Sequence, residues 1–117
     1  MPKIPPRESV RESALYRSAM AAQHAAYQLM RDVPADRKAD AAKLHASLVH
    51  ATAWAVSVVD PDVAPGPKAA AQEALAAAVA SAAGMLEPLA PLANDAGIPD
   101  ALQKAMEELR AAPILPS

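Results

Sequence analysis

"KLHASLVHATAWAVSVV", residues 43–59, decides between helix and strand for the chain. Its last four residues, Val56–Val59, are the one β-prone run in the sequence. They end a longer pattern, however. Leu44, Leu48, Ala51, Ala55 and Val58 recur at intervals of three and four, which puts them on one side of a helix. "DPDVAPGP" follows and stops that helix. The segment is therefore a helix with an apolar spine, beginning after "DVPADRKAD", where Asp32 or Asp36 suits a cap and Pro34 a first turn.

The same period extends outward in both directions. A first helix is expected over about 7–32, behind Pro5 and Pro6, with Leu15, Ala19, Ala22, Ala26 and Leu29 as one stripe. Tyr16, Met20, Tyr27 and Met30 form an adjacent stripe, so a broad buried face is expected there. A third helix should run from near Pro67 to about Leu86, its stripe being Leu75, Val79, Ala82 and Leu86. Prolines 88, 91 and 99 crowd the next stretch, and Pro88 is expected to bend or end that helix. Asn94–Gly97 then reads as a loop. A short fourth helix, about Pro99 to Ala112, presents Leu102, Ala105, Met106 and Leu109. The fold class is all-α: one domain over 1–117, an antiparallel up-and-down bundle of about four helices, the third broken by prolines. Residues 1–6 and 113–117 are expected as extended, proline-containing arms.

Composition narrows the function classes. With no cysteine, disulfides, zinc–thiolate centres and thiol catalysis are excluded. The net charge of −2 provides no field for nucleic acid, and the basic residues of the first hairpin tip (Arg31, Arg37, Lys38, Lys43) interleave with Asp32, Asp36 and Asp40. Charge is nonetheless uneven, +2 over residues 1–60 and −4 over 61–117. The amino-terminal stretch lacks the apolar run of a signal peptide, so a cytoplasmic protein is expected. Ala41–Val59 and Ala69–Leu86 are long and apolar, but each holds polar residues and much alanine, which contributes little to membrane insertion; a soluble protein with no membrane partner is expected. The three glycines are isolated, so no phosphate-binding loop exists.

Alanine makes up about a quarter of the chain and phenylalanine is absent. Alanine favours helix but buries little area, so the core must draw on a few Leu, Val, Met and Tyr side chains. A thin core leaves apolar surface over, and association with a second copy or a helical partner would cover it. The expected interface is the small-residue stripe of the third helix, Ala71, Leu75, Ala78, Val79 and Ala82, with Trp54 and with Ile4 and Ile114–Leu115 as clasps. Trp54 has two possible fates, core filler or interface anchor, and the shortage of large side chains favours the core.

The histidines offer a different function. His45 and His50 stand about 140° apart round one helix and cannot grip one ion together; no metal site or cofactor is expected. With the first turn centred near residue 34, His24 comes level with His45. Their neighbours are Tyr16, Tyr27 and Met20, and with Trp54 these residues are the candidate ligand pocket. In an enzyme, His24, His45, Tyr16 and Tyr27 would be its acid–base groups. The commoner role of a histidine beside an apolar stripe is to pack its ring and satisfy one hydrogen bond. The sequence thus favours a non-enzymatic association module, with a His/Tyr-lined binder or cofactor-free enzyme as the alternative.

Overall fold

The computed structural model describes residues 13–60 and 62–111. Four helices account for most of them: α1 (Ala14–Asp32), α2 (Lys38–Val59), α3 (Pro65–Leu89) and α4 (Gly97–Ala111). Single 3-10 turns at Ala35–Arg37 and Ala90–Leu92 lead into α2 and out of α3, and no strand occurs among the described residues. The all-α bundle read from the sequence is the observed fold. Successive helices pack side by side: α1 against α2, and α2 against α3. The last helix folds back onto α1 and touches α3 only sparsely. That leaves one loosely closed seam, α3–α4.

The spines expected for α2, α3 and α4 are the buried ones, joined by Ala41, Ala71 and Leu89. Leu29, Leu44, Leu48, Leu89 and Leu102 are the largest side chains wholly removed from water. Among the described residues, ten of the 23 in the core are alanine, so the helices meet across short side chains. Polar groups mark how near they come. Ser47 Oγ donates to the Ala78 carbonyl at 3.1 Å, from α2 to α3, and Thr52 Oγ1 lies 2.9 Å from Gln23 Oε1 of α1. The small-residue face of α3 does admit a close neighbour, and that neighbour is α2 of the same chain.

Several boundaries differ from the sequence reading, each for a local reason. Helix α1 starts at Ala14 because Ser13 caps it, its side chain accepting from the Tyr16 N–H at 3.4 Å. Neither Asp32 nor Asp36 caps α2, whose entry is the 3-10 turn behind Pro34. Pro65 opens α3 at a position where its missing N–H would have no helical partner in any case. Pro88 lies in the last turn of that helix, which ends at Leu89 and passes into the 3-10 turn Ala90–Leu92. Leu89, the residue after it, is buried, and burying a leucine contributes about 1.5–3 kcal/mol, which offsets part of the cost of the bond lost to Gly84. Helix α4 starts at Gly97, two residues before Pro99, where the Asp95 carboxylate accepts the Gly97 N–H at 2.9 Å. A Cβ at Gly97 would sit 3.1 Å from that same oxygen, so glycine leaves the turn room.

The broad face expected of α1 is also corrected. Tyr16 and Met30 are half-buried, and Met20 and Tyr27 are exposed. The face widens on its other flank, through Ala25, because α1 must contact α4 as well as α2 and alanine admits both.

Two polar devices fix the hairpin end of the bundle. Lys38 Nζ donates to the carbonyls of Met30, Arg31 and Val33 at 3.1, 3.3 and 3.3 Å, supplying a positive charge to the carboxyl end of α1. Asp32 ties down the α3–α4 loop: its carboxylate accepts the Asp95 N–H at 2.9 Å, and its carbonyl accepts Asn94 Nδ2 at 3.0 Å. Replacing Lys38 with methionine should lower unfolding stability by about 1 kcal/mol, a value set by the group's solvent exposure. Urea denaturation would show this as a lower midpoint at unchanged slope; an unchanged midpoint would remove the cap from the account.

Candidate functional site: the exposed rings and the α3–α4 seam

The residues expected to form a ligand pocket lie instead on two open flanks of α2. On the flank facing α1, the Tyr27 and His45 rings are tilted at 58° with centroids 5.8 Å apart, and the Arg31 guanidinium carbon sits 6.0 Å from the Tyr27 centroid. His45 is therefore level with Tyr27, one turn nearer the hairpin tip than His24. The 3-10 turn at Ala35–Arg37 adds residues to the connection and shifts the register away from a turn centred on residue 34. His24 and Met20 are exposed, Tyr16 is half-buried, and none of these residues lines either of the hollows described below. The structure brings together Tyr27, His45 and Arg31, and it separates them from the rest of the expected constellation. Among the described residues no three His, Asp or Glu side chains converge as a metal site.

Trp54 is 41% exposed rather than in the core. Helical spacing puts it on the same side of α2 as His50 and Ser47, and Ser47 faces α3. It is thus on the flank opposite the Tyr27–His45 pair, and the two cannot share a ligand. Alanine at Ala51 and Ala55 fills the core positions that an indole would overfill.

The expected interface on α3 is corrected in the same way. Ala71, Leu75, Val79 and Ala82 are buried within the single chain and Ala78 is partly so, because α2 occupies that stripe. Ile4 and Ile114–Leu115 lie outside the described residues. With α3 turned inward on this face, its outward face mixes alanines (Ala69, Ala70, Ala76, Ala77, Ala80) with Ser81, glycines, prolines and the carboxylates of Glu73 and Glu87. Its stretch Pro65–Leu92 is long and apolar enough, by length and composition, to cross a membrane, with mean hydropathy 1.4 and 28% of the apolar window buried.

Sequence reasoning missed the α3–α4 seam. Two hollows lie along it. The first, about 280 Å³, is floored by side chains from all four helices: Leu15 of α1, Val58 of α2, Leu75 and Val79 of α3, and Leu109 of α4. Gln72 and Arg110 are its polar members. The second, about 340 Å³, lies further along and is lined by Leu86 and Met106 together with Glu87, Gln103, Glu107 and, again, Arg110. The core's residual exposure gathers here. Leu75 at 8%, Leu15 and Val58 at 7%, and Leu86 and Leu109 at 5% are the most accessible core residues, and every one borders a hollow. No sequence signal marks the seam, because it arises from which helix pairs fail to close.

No known protein family matches this chain, nor does any curated protein or solved structure. The site's chemistry must therefore be argued from its own residues.

If Trp54 sits outside the core, Trp54→Ala should change stability by no more than about 0.5 kcal/mol, while Leu48→Ala should cost about 2–5 kcal/mol. Chemical denaturation of the two variants side by side checks the placement, and comparable losses would contradict it.

Proposed function

We propose that this chain is a non-catalytic binding protein, and that the apolar hollow at the α3–α4 seam is where it takes its ligand, a small molecule with an apolar body. One observation carries this. The most accessible core side chains of four separate helices converge on one concavity of about 280 Å³, near the lower bound of roughly 300 Å³ for small-molecule sites. Apolar floor that water can reach is stabilised by any apolar occupant that displaces the water. Sparse α3–α4 contact supports the reading from a second direction, since entry needs little packing to be broken. The ring pair elsewhere, exposed Tyr27 and half-buried His45, lines neither hollow, which favours packing over chemistry in a water-excluding site.

Association remains a second reading, supported by a specific feature. Met20, Tyr27 and Val49 are exposed large apolar residues on the two helices of the first hairpin, and Trp54 is exposed on the other flank of α2. The stripe Ala71–Ala82 no longer contributes, so any self-association would use these side chains. Such a partner would be a second copy or another helical protein. A cytoplasmic location, with neither nucleic acid nor a bilayer as partner, belongs to the same proposal.

Titrating 1-octanol into isotopically labelled protein tests the seam. Shifts should concentrate at Leu75, Val79, Leu109 and Val58, and thermal stability should rise with ligand concentration by linkage. Ala76→Trp, at an exposed position on the hollow's rim, should weaken octanol at least about tenfold, as expected when a bulky ring excludes an apolar body worth several methylenes. Shifts centred on Tyr27 or Trp54, or indifference to Ala76→Trp, would contradict the assignment.

A further inference from the structure

The two hollows differ in charge, and the difference defines the ligand's head. The four-helix hollow has no acidic residue among its described lining; its polar members are the Gln72 carboxamide of α3 and the Arg110 guanidinium of α4. Its neighbour along the same seam carries Glu87 and Glu107. Arg110 borders both hollows, but in the second it is accompanied by Glu87 and Glu107, so a negative group meets an unopposed positive charge on the side of the first. Arg110 makes no ion pair with another described residue, although it lies between the two hollows. A guanidinium presents a planar fork that suits a carboxylate in bidentate fashion, and Gln72 adds an N–H donor from the facing helix. The floor below them is Leu75, Val79, Leu109 and Leu15, which suits a hydrocarbon tail.

We infer that the seam binds a free monocarboxylate amphiphile of medium chain length, its tail in the four-helix hollow and its carboxylate on Arg110 with Gln72 beside it. This rests on the seam being a ligand site, as proposed above, and adds the head-group chemistry. The carboxylate is held at the rim rather than buried. That avoids the large penalty of desolvating an ion and makes the head-group contribution sensitive to salt. The tail sets most of the affinity, and the head sets orientation and selectivity.

Sodium octanoate and 1-octanol share a chain length and differ in the head, so the pair separates the two claims. Both should shift the resonances of Leu75, Val79 and Leu109 in the whole protein. Arg110→Gln should weaken octanoate about tenfold and leave octanol within about twofold, the size expected of one partly solvated charge-assisted pair. Arg110 is exposed, so this variant should fold as the parent does. Raising sodium chloride from low to near-molar concentration should weaken octanoate alone. Equal effects of Arg110→Gln on the two ligands would overturn the head-group inference and leave the seam in place. Failure of both ligands to perturb the seam would remove the seam reading itself. Co-sedimentation with phosphatidylcholine vesicles, without localised shifts from either free ligand, would transfer the apolar surface to a bilayer and overturn both.

Discussion

Close approach of helices across alanine is the constraint on which the rest of this structure depends. Alanine presents a single methyl to its neighbour, so α2 can lie against α1 on one side and α3 on the other, near enough for a serine or threonine hydroxyl to reach the facing helix. Such contacts bury modest area per residue but gain dispersion along their whole length. Between these small contacts, Leu29, Leu44, Leu48, Leu89 and Leu102 supply the largest fully buried side chains. Helix α4 enters last and packs chiefly on α1. It meets α3 only sparsely, since the inward stripe of α3 packs chiefly against α2 and reaches α4 only through Leu75 and Val79 at the hollow. The open seam follows from how the alanine contacts are shared out.

That sharing explains what the sequence disclosed and what it withheld. Leu44, Leu48, Ala51, Ala55 and Val58 could be read as a spine because a helical period depends only on local spacing. Leu102, Ala105, Met106 and Leu109 were legible for the same reason. The width of a buried face was not, because it depends on how many neighbours a helix has. Tyr16, Met20, Tyr27 and Met30 lie beside a core stripe at perfect helical spacing, yet α1 turns its other flank, through Ala25, to α4. Trp54 fails as a core residue on the same grounds: size favours burial only where a space of that size exists. Pro88 acts close to where its propensity places it: α3 ends one residue later, at Leu89, and gives way to a 3-10 turn.

The candidate site was the least legible part. A turn centred on residue 34 would bring His24 level with His45, but the three residues of 3-10 helix bring Tyr27 there instead. The seam draws Leu15, Val58, Leu75 and Leu109 from four helices, and each of them looks like an ordinary core leucine or valine in the sequence. Their function can be argued only from joint placement. Arg110 is similar. In the sequence it is one basic residue in the last turn of a short helix, where it complements the helix dipole; in the fold it is the cation beside an apolar floor.

The central claim is that the α3–α4 seam holds a standing apolar hollow, open at its rim, and not a surface irregularity that side chains fill in solution. Xenon binds apolar concavities lined by leucine and similar side chains without needing any polar partner. A crystal structure determined under xenon pressure is therefore the most direct measurement. The account predicts xenon density enclosed by Leu15, Val58, Leu75, Val79 and Leu109. Finding those side chains packed together with no xenon between them would contradict it.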